Sequence, residues 1–206
     1  MLSSSSTLLL LVSLPSAVSL GIIAKRDASA CPCLNWSEVY GKGGISCAPG
    51  IGGLAGDEFC NFMRNLHSNV CVERQFMSRD HLADSVCYVS AQCAGQTHMT
   101  RKTCRPNEDV LLTELPLTKS TAIAKKNGVD QGCMAGYGGI YVDKLVSELS
   151  RADIEGYKSM GQPVFIWSMR DHFGPRLQIK GQEVFRHTFN PSAPGYWDVT
   201  CEEGCK

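Results

Sequence analysis

Eight of the eleven cysteines in this 206-residue chain fall between Cys31 and Cys104, and no other feature restricts the fold so strongly. They are Cys31, Cys33, Cys47, Cys60, Cys71, Cys87, Cys93 and Cys104; Cys133, Cys201 and Cys205 follow in the last hundred residues. A dense, even cluster marks a covalent framework, and four bridges inside 31–104 are expected. A unit of ~75 residues has only a marginal apolar core. Each bridge stabilises it by about 2–4 kcal/mol, mainly by restricting the unfolded chain. Cys31 and Cys33 flank a single Pro32, so a bridge between them would be strained and each is expected to find its own distant partner. Cys201 and Cys205 frame Glu202-Glu203-Gly204. Either they close on each other, or one of them reaches Cys133 or the N-terminal cluster. The cysteine left over is then an inert buried thiol or a site for an intermolecular disulfide. Zinc is the rival use of these residues. Cys31-Pro32-Cys33 is too tight for the usual half-site and no histidine follows at zinc-finger spacing, so no metal and no cofactor is expected.

Disulfides persist only outside a reducing cytosol, and the N-terminus fits that requirement. Met1 to Ala24 carries no charged side chain, and Leu8-Leu9-Leu10-Leu11-Val12 forms an apolar core within it. Small residues at Ala17 and Ser19 offer cleavage after Ser19, and Ala28-Ser29-Ala30 offers a second site. Residues 1–19 therefore read as a secretory signal peptide, with processing up to residue 30 as the alternative. A membrane anchor is the competing reading. Pro15 and the serines make a poor bilayer helix, and Lys25-Arg26 on its C-terminal side would leave the cysteines in the cytosol. No stable span is expected after the signal is removed. Asn35-Trp36-Ser37 is a glycosylation sequon, which makes Asn35 an acceptor along that route.

Charge excludes another class of function. With 20 Lys+Arg against 20 Asp+Glu there is no global basic field, and nucleic acid is not an expected partner. The glycine-rich stretch 41–56 contains Gly50-Ile51-Gly52-Gly53-Leu54-Ala55, which matches a dinucleotide string. It follows Cys47 and Pro49 rather than a buried strand, so it reads as a permissive loop.

Periodicity divides the chain into a disulfide-rich unit at 31–104 and a mixed segment at 105–206. In the first, Asp57 as N-cap and Phe59, Phe62, Met63, Leu66 and Val70 at helical spacing predict a helix to about Arg74. That helix would carry Cys60 and Cys71 on one side. A second short helix is predicted from about Asp80 to Gln92, carrying Cys87. In the second segment Thr118 begins a helix that Asn127-Gly128 ends. Tyr141–Leu149 places Val142, Leu145, Val146 and Leu149 on one helical face. Ser150 starts a further helix, which Gly161-Gln162-Pro163 closes. Val164-Phe165-Ile166-Trp167 reads as a strand, and Leu177–Ile179 with Glu183–Phe185 as a hairpin turning at Lys180-Gly181. The fold class expected is α+β: a disulfide-rich helical N-terminal unit followed by a mixed helix and strand segment.

No nucleophile elbow, zinc helix, phosphate loop, EF-hand or C-x-x-C redox pair is present. The one constellation with the makings of general acid–base chemistry is His172, His187 and Lys180, with Arg170, Arg176 and Arg186 nearby. A small phosphodiesterase-like hydrolase would use such a pair of imidazoles. Trp36, Trp167, Tyr196 and Trp197 offer aromatic surface, either as core or as a platform for a sugar or a protein.

Cys31-Pro32-Cys33-Leu34-Asn35-Trp36, Cys87-Tyr88-Val89-Ser90 and Lys102-Thr103-Cys104 resemble segments of cysteine-rich signal-peptide proteins of dinoflagellate algae. The likeness covers mainly 31–135 and implies no activity or site. It does imply a second address, since plastid delivery in such algae begins with a signal peptide; residues 20–30 alone are available here as a transit stretch. The leading reading is a secreted or lumenal binding or structural module without catalytic machinery, its partner a protein or glycan. The alternatives are the small hydrolase and an accessory subunit of a lumenal or membrane-associated assembly.

Overall fold

The computed structural model describes residues 28–41, 45, 56–79, 82 and 84–205. The signal-peptide segment, the glycine-rich loop and Cys47 lie outside the described residues. The chain is α+β, with six α-helices and eight strands among the described residues. None of these helices is long and apolar enough to cross a membrane.

The N-terminal half sets helices α1 (Trp36–Gly41) and α2 (Gly56–Asn65) beside an antiparallel sheet of β1 (Val72–Glu73), β2 (Ser85–Val89) and β3 (Thr100–Thr103), in that order. A short helix α3 (Ala91–Ala94) links β2 to β3, capped by Ser90 at its start and by left-handed Gly95 at its end. Three bridges pin this half. Cys31 joins Cys93, Cys33 joins Cys87, and Cys71 joins Cys104. Cys60 is disulfide-bonded as well. Cys31 and Cys33 thus take different partners, on neighbouring positions of the sheet and its linking helix. Trp36 anchors α1 by donating from Nε1 to the carbonyl of Val70 at 2.7 Å, and its ring packs edge-on against Tyr88 of β2.

Two predicted helices are corrected here. The helix from Asp57 ends at Asn65, not near Arg74. Beyond it the backbone turns so that the amides of Trp36 and Ser37 donate to Ser68 and Leu66. Leu66 and Val70 are still buried, but from an extended segment, and Cys71 sits off the helix in a bridge beside Leu111. The segment predicted as helix from Asp80 to Gln92 contains β2 instead. Its run Ser85-Val86-Cys87-Tyr88-Val89 pairs on both edges, with β1 and β3. A short apolar run of this kind does not reveal its period, and β-branched valines favour the strand.

The second sheet has the order β4 (Ile140–Val142), β5 (Val164–Ile166), β6 (Arg176–Lys180), β7 (Glu183–Phe189) and β8 (Trp197–Glu203). The pair β4–β5 is parallel and the rest are antiparallel. Parallel neighbours need a crossover, which α6 (Arg151–Ser159) supplies. Ser150 and Asp153 form a capping box at its start. The stretch Tyr141–Leu149, predicted as helix, is therefore strand β4 followed by a 3-10 turn over Val146–Glu148. Three of its four apolar residues nonetheless face one core: Val142, Val146 and Leu149, but not Leu145, pack with Ile154 and Tyr157 onto Val164, Ile166, Leu177, Ile179 and Val184. That is one face of the sheet.

Strand alternation turns Phe165, Arg176, Gln178 and His187 to the other face, toward α4 (Leu117–Asn127) and α5 (Gln131–Gly136). Helix α4 ends at left-handed Gly128, and its first amide, Leu117 N–H, donates to the carboxylate of Glu183 on β7. The first core extends past residue 104. Leu111, Leu112, Ala124, Val129, Met134 and Tyr137 from beyond residue 104 belong to the same apolar cluster as Trp36, Val39, Leu66 and Val89. Near the chain end Cys201 and Cys205 close on each other.

Candidate functional site

The second sheet face is unusual in burying charge and polarity. Arg176 stands at the start of β6 with its guanidinium carbon 3.6 Å from the ring centre of Trp197 and 4.4 Å from that of Trp167. Register explains the sandwich. Ile166 pairs with Leu177, which puts Trp167 and Arg176 at the adjoining position, and Phe189 pairs with Trp197 two positions beyond the pair of Arg176 with His187. Rings with electron-rich faces hold a desolvated cation by about 2 kcal/mol or more.

Neighbouring residues are shaped around this cation. A side chain on Gly132 would put its Cβ 1.8 Å from Nη1 of Arg176. Nη2 donates to the carbonyl of His172. Asp130 caps α5 by accepting from the Cys133 amide at 2.7 Å and also accepts from Trp197 Nε1 at 3.1 Å. Burial pulls the Arg176 guanidinium down to about 10, with Asp130 opposing the shift. It therefore remains a cation at neutral pH. Replacing Arg176 with alanine is expected to cost about 2 kcal/mol and to red-shift tryptophan emission as both rings lose their partner. Chemical denaturation followed by fluorescence tests this, and an unchanged midpoint would show that the sandwich adds nothing.

His187, paired with Arg176 across β6 and β7, is 1% exposed. Neither ring nitrogen has a hydrogen-bond partner, nor has Gln131 Oε1 close by. Burial first, and the Arg176 charge second, push its pKa down to about 3, so the imidazole is neutral across the ordinary range.

The three residues read from the sequence as general acid–base candidates are placed differently from one another. His172 is exposed on the loop between β5 and β6, its ring 5.6 Å from that of Trp167. His187 is sealed behind Arg176. Lys180 is at the far end of β6, about 13 Å along the strand from Arg176. There it donates to the carbonyls of Thr113 at 2.9 Å and Leu115 at 2.8 Å, fastening the lead-in to α4 onto the hairpin. A hollow of about 400 Å³ lies beside it, lined by Glu114, Pro116, Gly161, Gly181 and Glu183. Arg176 meets both imidazole residues, donating to the His172 carbonyl and pairing with His187 across the sheet, while Lys180 is held apart from both.

What does reach solvent from the Arg176 layer is aromatic. Phe173 is 68% exposed and Tyr196 57% exposed. Phe173 packs on Phe189 with ring centres 4.6 Å apart, and Phe189 packs edge-on against Trp197 at 5.4 Å. The carbonyl of Tyr196 accepts from the amide of Asn190, the residue after Phe189. Tyr196 has a φ of 66°, a left-handed conformation costly for a bulky side chain. It follows Gly195, whose own positive φ places its α-carbon against the Val129 carbonyl. Phe173 thus caps a stack that runs through Phe189, Trp197, Arg176 and Trp167, and Tyr196 is exposed beside it in the chain, next to Trp197.

Sequence reasoning marked Tyr196 as a candidate platform residue and missed Phe173 and the central role of Arg176. The signal for Arg176 was the pairing of β5 with β6, which is visible only once both strands are recognised. Asn35, the sequon residue, is half-buried just before α1, where its carbonyl accepts from Glu38 and Val39 and its side chain accepts from Ser37 Oγ at 3.2 Å. No protein-family model, curated protein or solved structure matches this chain.

Proposed function

We propose that this is a secreted or lumenal binding module, stapled by disulfides, that presents the Phe173–Tyr196 end of its second sheet to a glycan. The observation that carries the reading is the exposed Phe173 ring packed on a buried cation–aromatic stack, with exposed Tyr196 next to Trp197 of that stack. Exposed large apolar side chains on rigid supports mark interaction sites, and a ring face suits the apolar face of a sugar. Asp171, His172 and Asp198 lie within two residues of the two rings in the chain and supply hydrogen-bonding groups that a sugar also needs. Cross-links at Cys31–Cys93, Cys33–Cys87 and Cys71–Cys104 support an oxidising compartment.

Two measurements test the two parts of this reading. Expressed in a eukaryotic secretory cell, the full chain is expected in the medium or lumen, trimmed after Ser19 or Ala30. It should carry a glycosidase-sensitive mass that Asn35→Gln removes, and alkylation without reductant should label no more than one or two cysteines. Accumulation in the cytosol with most thiols labelled would end the compartment reading. For the site, a glycan array should retain the purified protein, and Phe173→Ala with Tyr196→Ala should weaken retention at least about tenfold. Equal retention by the variant, or none by the parent, would end the glycan reading.

A further inference from the structure

Two of the bridges lie side by side. The sulfurs of Cys33, Cys71, Cys87 and Cys104 all fall within 4.8 Å of one another, and Sγ of Cys33 and Sγ of Cys71, which belong to different bridges, are 3.6 Å apart. Three of the four residues are buried and Cys33 is half-buried. We propose that, once both bridges are reduced, these four sulfurs hold one zinc ion as a tetrathiolate, so that the N-terminal core has two alternative cross-links built from the same residues.

Geometry favours this. Four thiolates at about 2.3 Å from zinc in a tetrahedron stand roughly 3.8 Å from each other. The contact between Cys33 and Cys71 already has that spacing. The bonded pairs must part by rotation about their side chains, over Cα separations of 5.7 Å and 6.4 Å that need not change much. The four ligands come from the lead-in to α1, the residue before β1, the middle of β2 and the residue after β3. Soft sulfur donors without imidazole or carboxylate select zinc over calcium or magnesium.

The surroundings suit the charge. Asp109 Oδ1 lies 3.6 Å from Cys33 Sγ, where its negative charge would oppose a thiolate unless a cation compensated it. Lys102, with its side chain 4% exposed, is ion-paired to the same carboxylate at 2.8 Å and offsets negative charge beside the thiolates. The sequence hid this set because its spacing contains no C-x-x-C half-site, and because Cys31, the tempting neighbour of Cys33, is bonded elsewhere.

The conversion balances as follows. A phosphine reductant gives two electrons to each bridge and becomes its oxide with the oxygen of water, while the two sulfurs take the protons. Zinc then displaces the four thiol protons to solvent. The test uses the full mature chain, reduced with tris(2-carboxyethyl)phosphine under argon and titrated with cobalt(II) alone. One equivalent is expected to give the intense visible bands of a tetrahedral thiolate site, which zinc then bleaches. Cys71→Ser or Cys104→Ser should weaken cobalt affinity at least about 100-fold, since even outer-shell changes cost 10–100-fold. Cys201→Ser should leave the titration unchanged. No thiolate bands, bands that survive Cys71→Ser and Cys104→Ser, or bands lost with Cys201→Ser would each overturn the proposal. A reduced chain that unfolds and binds nothing overturns it too, while secretion and glycan binding of the oxidised protein stand or fall separately.

Discussion

Removing both nested bridges, Cys31–Cys93 and Cys33–Cys87, by alanine substitution at all four positions is expected to cost about 7 kcal/mol. Removing either one alone should cost only about 2–3 kcal/mol. The difference arises because the bridges are concentric. The sequence separations are 62 and 54, so whichever forms first closes a long loop and removes most of the entropy. With that loop closed, the second bridge restricts only the short ring through residues 31–33 and 87–93. The loop-entropy model gives the first closure about 4 kcal/mol and the second under 3. Guanidinium denaturation of the parent, the two single-bridge variants and the double variant under non-reducing conditions checks this. Strict additivity, with each single removal costing half of the double, would show that native strain or residual unfolded structure dominates instead. A total near 7 kcal/mol is comparable to the whole stability of a small domain, so the double variant is expected to be unfolded at 37 °C.

Stability should fall steeply between pH 6.5 and pH 4, and His187 should be the cause. Its pKa drops from 6.5 in the unfolded chain to about 3 in the folded one, because protonation would place a cation in a fully enclosed site beside Arg176. Between those values the unfolded state binds the extra proton, so stability is complete above pH 6.5 and is lost as pH falls through the window. The slope is about 1.4 kcal/mol per pH unit, or about 3 kcal/mol by pH 4. Two carboxyls are also held low, Asp153 by Ser150 and Lys144 at about 2 and Glu203 by Arg151 and Lys158, and both act below the ordinary carboxylate range. His187→Leu removes the titration and also the two unpartnered nitrogens. Replacing such a group by an apolar one is neutral or stabilising. The variant should therefore match or exceed the parent at pH 7 and lose little between pH 6.5 and 4. Parallel pH profiles for the two proteins would mean that His187 finds a partner that accepts its proton.

The second result bears on the sheet face that carries the proposed site. Phe173 packs on Phe189, Phe189 on Trp197 and Trp197 on Arg176, and Arg176 pairs with a neutral His187. A charged imidazole there would strain the sandwich first. The proposed glycan retention is accordingly expected to fall over the same pH window.

What the amino-acid order determined by itself was local or compositional. Ser150 and Asp153 placed a capping box, Gly128 ended a helix in a left-handed residue, and Lys180-Gly181 marked a hairpin, because each effect is confined to a few bonds of backbone. The density of cysteines implied a covalent framework, and the Pro32 spacer forbade the shortest bridge. Periodicity failed where it had only a few apolar residues to count. Ser85–Val89 and Tyr141–Val142 became strands because partners far along the chain, β1 with β3 and β5, satisfied their backbone groups. The pairing of Cys33 with Cys87 beside Cys71 with Cys104, and the seat of Arg176 between Trp167 and Trp197, are likewise contacts over long separations. Such contacts are selected by which pairings bury the most surface while leaving the fewest polar groups unmet, a property of the assembled chain that no window of sequence contains.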